Sequence, residues 1–292
     1  MKEISELLKK NNIKYSSFRK KGSSLIIDNK IVIKKNKTNI YDYLNYRNFN
    51  NYPNLKIDDG YEIIEYIEEV DIPKEQKMID LIEVISALHK KTNYYKKITD
   101  NVIDDIYEEI KNNIEDIKQY YDQLMLEVES SLYMRPSYYL LARNISNVYK
   151  VIINASNNLE KWYKDINELK SIRVSIIHNN LSLEHFINNK IISWDNSKIG
   201  IPVYDLVKLY KNTYNEYDWV ELINIYEDNF LLREEEKVLL NILISIPNKI
   251  NFTSIEIDNV IKINEELNYI KLTNNFILNK DFTYTKNEEN KE

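Results

Sequence analysis

Residues 176–206 read IIHNNLSLEHFINNKIISWDNSKIGIPVYDL. An apolar run, a polar loop, a second apolar run, another loop and a proline precede Asp205-Leu206, which opens a helix. The pattern predicts two short strands flanking a turn rich in side chains that bind metals or accept protons. His178 and His185 lie inside the stretch, and the third histidine, His89, closes an earlier helix.

Composition narrows the class around this stretch. A length of 292 residues leaves room for one large domain or two lobes with a sizeable core. The net charge is -6, and lysine and arginine are spread along the chain, so no basic stripe points to nucleic acid. The absence of cysteine excludes a disulfide framework, a thiolate nucleophile and a thiolate metal site. No apolar run reaches membrane-span length, and MKEISELLKK reads as a short amphipathic helix, so the cytoplasm is the expected location. Three glycines and 24 tyrosines, among abundant Asn, Ile and Lys, look like an AT-rich genome. The pairs Tyr94-Tyr95, Tyr120-Tyr121 and Tyr138-Tyr139 are therefore read as half-buried helix faces rather than base-stacking platforms.

Taken in order, residues 3–11 suit a helix and 15–35 read as strands, with Asp28-Asn29 as a hairpin turn. Residues 38–49 follow a Thr or Asn cap with helical spacing. Residues 55–57 and 61–67 form a hairpin about Asp59-Gly60. A strong helix follows at 74–91, with Met78, Leu81, Ile82, Ile85 and Leu88 on one face. The next ninety residues are read as helical, restarting at Met134-Arg135-Pro136-Ser137. Beyond the central stretch, helices are expected at 203–214, 219–230, 233–246 and 254–272.

These segments, in this order, resemble the aminoglycoside phosphotransferase and choline kinase family, a branch of the protein-kinase-like fold. Its first loop reads H-G-D-x-H-x-x-N and its second I-D-W/F-[DE]-x-A-x-x-G-D-P-x-x-D-L. On that pattern His178 matches the family histidine, Asn180 stands at the catalytic aspartate and His185 at a metal-binding asparagine. Ser193 stands at the metal-binding aspartate, while Trp194, Asp195, Gly200, Pro202, Asp205 and Leu206 keep the pattern. Ala87-Leu88-His89 resembles the ending of the family's first long C-lobe helix, where His89 is read as a satisfied core residue.

The resemblance implies a bilobal α+β fold: an N-lobe at 1–70 of sheet plus one helix, and a mainly helical C-lobe at 71–280. Residues 281–292 would be a flexible tail. It also implies ATP and magnesium as cofactors. Lys34 or Lys35 would pair with the nucleotide phosphates; strand alternation lets only one face the cleft, and Lys34, which extends IVIK, is favoured. The helix at 38–49 should supply that lysine's glutamate, yet no glutamate occurs between Glu6 and Glu62, and Asp42 is the segment's sole acid. The strand ending near Glu65 and Tyr66 would hold adenine through its backbone. The phosphate-covering turn near residues 20–24 has Gly22 alone. Asp205 is expected to be structural, capping its helix and tying down the catalytic loop.

The scaffold letters survive and the chemical letters change. Phosphoryl transfer needs an acid that orients the acceptor hydroxyl, and oxygen ligands for magnesium. Asn180 has no ionisable acceptor, His185 offers a nitrogen and Ser193 a neutral hydroxyl. Three functions follow. The first is a catalytically impaired pseudo-phosphotransferase that binds a nucleotide or a partner, small molecule or protein. The second is an active but rewired phosphotransferase acting on an alcohol, in which a shifted loop brings Glu184 and Asp195 to one metal, with His178 or His185 as base. The third is a helical interaction protein without nucleotide binding. Convergence of Lys34, Asn180 and Ser193 separates the first two from the third.

Overall fold

The structure, a computed structural model, describes residues 2–97, 100–169 and 171–280. The expected tail at 281–292 lies outside the described residues. By contacts the chain divides into Met1–Asn93 with Ser175–Ile199, and Tyr94–Val174 with Gly200–Glu292.

The first unit opens with α1 (Lys2–Lys10), then β1 (Phe18–Lys21), β2 (Ser24–Ile27), β3 (Ile31–Lys35), α2 (Tyr41–Tyr46), β4 (Leu55–Asp58), β5 (Tyr61–Glu65) and α3 (Lys74–Thr92). The five strands form an antiparallel sheet in the order β1-β2-β3-β5-β4. Its turns are where the sequence asked for them. Asp28 and Asn29 take φ of 47° and 52°, the paired left-handed geometry that a two-residue hairpin requires, and Asp59-Gly60 repeats it at 48° and 77°. Backbone and hydroxyl bonds from Ser16 and Ser17 hold the Asp28 carboxyl down at about 2, locking the turn to the preceding loop. Leu7 and Leu8 of α1 pack on Ile27 and Ile33, burying one face of the sheet.

The helix expected at 38–49 is six residues long. Its N-cap is Ile40, without a side-chain cap bond, because Thr38 is spent elsewhere: its N–H donates to Asn36 Oδ1 and its hydroxyl lies 3.3 Å from that of Ser197. Helix α3 keeps its predicted face, with Met78, Leu81, Ile82, Ile85 and Leu88 fully buried beside His89. Although the sequence boundary was drawn near residue 70, α3 groups with the sheet. The reason is visible at its end, where Arg47 Nε donates to the Lys91 carbonyl and Lys91 Nζ to that of Asn48.

The second unit holds β6 (Tyr94–Lys97), α4 (Asp100–Ser130), α5 (Pro136–Glu168) and the first part of β7 (Ser171–Ile177). Strand β6, antiparallel to β7, escaped the sequence reading because all four residues are exposed and carry no burial alternation. Tyr94-Tyr95 is thus strand, not helix. Past the loops the unit continues with α6 (Val203–Thr213), α7 (Trp219–Asn229), α8 (Glu234–Ser245) and α9 (Glu256–Asn279), the last running past residue 272 with Phe276 and Ile277 buried. Tyr120 and Tyr121 of α4 donate to the carbonyls of Ile250 and Asn248, pinning the α8–α9 connection. At the unit's centre Arg173 is bound at both ends of a carboxylate: Nε donates to Glu236 Oε1 at 2.9 Å and a terminal nitrogen to Oε2. That nitrogen also donates to the Leu231 carbonyl at 2.8 Å, the guanidinium lies 3.9 Å from the Phe230 ring, and Glu236 Oε2 accepts the Arg233 N–H.

Candidate active site

Strand register builds the centre of the site. The antiparallel pairing of β3 with β5 sets Lys34 opposite Glu62, and Lys34 Nζ lies 3.2 Å from Glu62 Oε2. On its other side the ammonium donates to Asp195 Oδ1 at 3.0 Å. Tyr41 of α2 donates its hydroxyl to the same Glu62 Oε2 at 3.1 Å. Lys34 and Glu62 are 7% and 0% exposed, while the Asp195 side chain keeps 24%. Glu62 Oε1 is buried without a hydrogen-bond partner among the described residues. Burial therefore pushes the Glu62 carboxyl up against the opposing pull of Lys34 and Tyr41. The Tyr41 phenol is pushed up as well, by burial first and by Glu62 next.

The loops at 178–199 are braced by their histidines. β8 (Phe186–Ile187) and β9 (Lys190–Ile191) pair as a small hairpin whose turn, Asn188-Asn189, has φ of 48° and 59°, and β10 (Lys198–Gly200) closes the stretch. These are the short strands expected around the polar turns. His178 is fully buried; its Nε2–H donates to the Ile192 carbonyl at 2.9 Å, and its ring stands edge-on to Trp194 with centroids 5.1 Å apart. His185 Nδ1–H donates to the Asn180 carbonyl at 2.8 Å, while the His185 carbonyl accepts from Ile192 N–H. Because a carbonyl can only accept, each bond assigns a proton to that ring nitrogen. Asn179, at the glycine of the H-G-D pattern, takes φ 56°, and Ser193 takes φ 65°; Asn in particular tolerates this left-handed geometry.

Trp194 anchors the second loop to the first unit: it is 1% exposed, donates Nε1–H to the Ile191 carbonyl and meets Phe49 edge-on. The hairpin is also sewn to the segments around the sheet. Asn51 donates to the Asn189 carbonyl, Asn51's own carbonyl accepts from Ile191, and Asn188 bonds both Glu68 and Val70.

Of the predicted site residues, Lys34 and Asp195 meet directly, with Ser193 two residues before Asp195 and Asn180 tied to His185. Lys35 points to the exposed face. The glutamate sought on the helix at 38–49 comes instead from β5, as Glu62. The alternating pattern of YEIIE, with Glu62 on the face shared by Ile64, was its one sequence signal; it required knowing that β5 pairs with β3. The backbone N–H groups of Glu65 and Tyr66 donate to the carbonyls of Asn54 and Lys30. Those two donors are thus used by the sheet and its edge. Asp205 is fully buried, but it is the third residue of α6, whose N-cap is Pro202 without a side-chain cap bond. Glu184 is exposed, and among the described residues no three His, Cys, Asp or Glu side chains gather as a metal ion would need.

A search of protein families matched none to this sequence, and comparison with curated proteins found no significant relative. Solved structures do match. An aminoglycoside phosphotransferase from Alicyclobacillus acidocaldarius superposes with a TM-score of 0.67 at 7% identity, over 92% of this chain and 93% of its own. A spectinomycin phosphotransferase in complex with ADP and spectinomycin gives 0.54 at 12% identity, over 94% and 98%. Its AMP-bound complex gives 0.55 at 13% identity, over the same shares. No helix among the described residues is long and apolar enough to cross a membrane. The chain therefore has the aminoglycoside phosphotransferase fold, a protein-kinase-like α+β architecture with a small sheet-bearing part and a larger helical one.

Proposed function

We propose that the chain is a kinase-like nucleotide-binding protein whose phosphoryl transfer is impaired. The observation that carries this reading is Lys34, held almost buried between Glu62 and Asp195. Its two carboxylates offset the desolvation of the buried ammonium, and here it offers a positioned positive charge for phosphate oxygens. The spare Glu62 oxygen and the part-exposed Asp195 leave the cluster room to re-pair when an anion arrives. The donor set fits magnesium through one carboxylate, Asp195, since that ion is content with one or two protein oxygens plus phosphate and water. When bound, the ion would neutralise phosphate charge; Lys34 orients the phosphates and Glu62 with Tyr41 holds Lys34 in place. Transfer is impaired because Asn180 cannot take a proton from an acceptor hydroxyl. The fold's spectinomycin phosphotransferase binds ADP and AMP, which supports the choice of nucleotide.

Thermal-shift titration with ATP and ADP, each with and without magnesium, tests the reading. A ligand bound only by the native state must raise Tm, and Lys34→Ala should abolish the rise. No rise under any of these conditions removes the nucleotide. A second reading, an active phosphotransferase with a small alcohol as acceptor, is favoured by the Lys34–Asp195 contact, which puts a carboxylate near the place of the missing metal-loop aspartate. Magnesium-dependent ADP release that is stimulated by an alcohol and lost in Asp195→Asn would select it.

A further inference from the structure

We infer that a groove in the helical unit, formed by α5, α8 and α9, binds an anionic polyol, of which a phosphorylated sugar is the simplest form. The groove encloses about 890 Å³, the size of a small-molecule site. Eight of its seventeen lining residues are asparagine, against 40 in the 292-residue sequence, so compositional bias alone does not account for the lining. Acidic residues number 46 in the chain, and none lines the groove. The amides recur at helical spacing on both walls: Asn147, Asn154 and Asn158 on α5, and Asn274 on α9. At the floor Asn241 is 6% exposed and accepts the Ser245 hydroxyl at 3.0 Å.

The chemistry follows from what an amide offers. Each asparagine presents one carbonyl acceptor and two N–H donors, which matches hydroxyl groups that both give and take hydrogen bonds. Lys150 and Lys271 stand on the opposite walls, exposed and without an ion pair among the described residues, and together with Lys161 on α5 supply charge for one anionic group. No carboxylate is among the lining residues, so none stands in the groove to repel that group. An amine-bearing ligand would meet the reverse: three lysines and no carboxylate in the lining. The groove's residues belong to the helical unit alone and do not depend on the nucleotide reading.

Calorimetry on the full chain tests this with glucose 6-phosphate, ribose 5-phosphate, glucose and inorganic phosphate. Either sugar phosphate should bind at millimolar concentration or better, with glucose and phosphate alone much weaker. Lys150→Ala with Lys271→Ala should weaken binding by about tenfold or more, and Asn154→Leu with Asn158→Leu should do likewise. All four positions lie on exposed or half-exposed helix faces, so the variants should fold, as circular dichroism would check. Lys34→Ala should leave sugar-phosphate binding unchanged, which separates this site from the nucleotide site. Equal binding of inorganic phosphate would mean an adventitious ion only and would overturn the proposal. So would the absence of heat with both sugar phosphates, or binding that survives both groove variants.

Discussion

Each of the two units buries a basic side chain against a glutamate, and the two clusters are finished differently. In the helical unit Arg173 is saturated: both carboxylate oxygens of Glu236, the Leu231 carbonyl and the Phe230 ring surround it, and Glu236 also takes a backbone N–H. In the sheet unit Lys34 divides itself between Glu62 and Asp195, one Glu62 oxygen has no partner among the described residues, and Asp195 reaches solvent. A closed set of hydrogen bonds has one arrangement and nothing to offer a ligand. An unfinished set carries a cost that an incoming anion relieves. Burial alone therefore does not mark a functional charge; incomplete satisfaction beside a solvent-reaching partner does.

The comparison breaks most easily at its closed end. Glu236→Ala should cost about 3–5 kcal/mol, because it strands a buried guanidinium. Urea denaturation should read that loss, and a cost under about 1 kcal/mol would mean that Arg173 finds other partners. At the open end, Lys34→Met should cost less, about 1–3 kcal/mol at neutral pH, since Glu62 can answer by taking up a proton. That deficit should shrink as pH falls, while the nucleotide-induced Tm rise disappears at every pH.

Glu62 itself sharpens the contrast through pH. Burial raises its folded-state pKa, so between the unfolded and folded values the native protein holds a proton that the unfolded chain has released. Stability contributed by that group is present below the unfolded pKa and is lost as pH rises through the folded one. Denaturation midpoints followed upward from acid should show this fall, and Glu62→Gln should flatten it. Asp195→Asn should have the smallest effect on stability, under about 1 kcal/mol, since its side chain is part-exposed and Lys34 keeps Glu62. Its signature should be the loss of the magnesium-dependent part of the ATP shift; an unchanged magnesium response would take Asp195 out of the site.

Much of this molecule was legible beforehand. The 3.6-residue spacing of Met78, Leu81, Ile82, Ile85 and Leu88 is a local property, and α3 follows it. Asp28-Asn29 and Asp59-Gly60 announce their turns because so few residues tolerate positive φ. Even the order of loops at 176–206, which suggested the fold, is a one-dimensional pattern. The exposed strand β6 escaped because a strand with neither face buried leaves no alternation. The helix expected from residue 38 starts later, as α2, because Thr38 bonds outside the helix it was expected to cap.

The sequence by itself thus determined most of the helices, the hairpins and the family of folds, since all of these rest on residues close together in the chain. Only the tertiary structure decided what Lys34 touches. Glu62 reaches it through a strand pairing that skips over α2 and β4, and Asp195 arrives from 161 residues further along. Partners that far apart are set by register and packing, and a period of two or 3.6 residues carries no record of either.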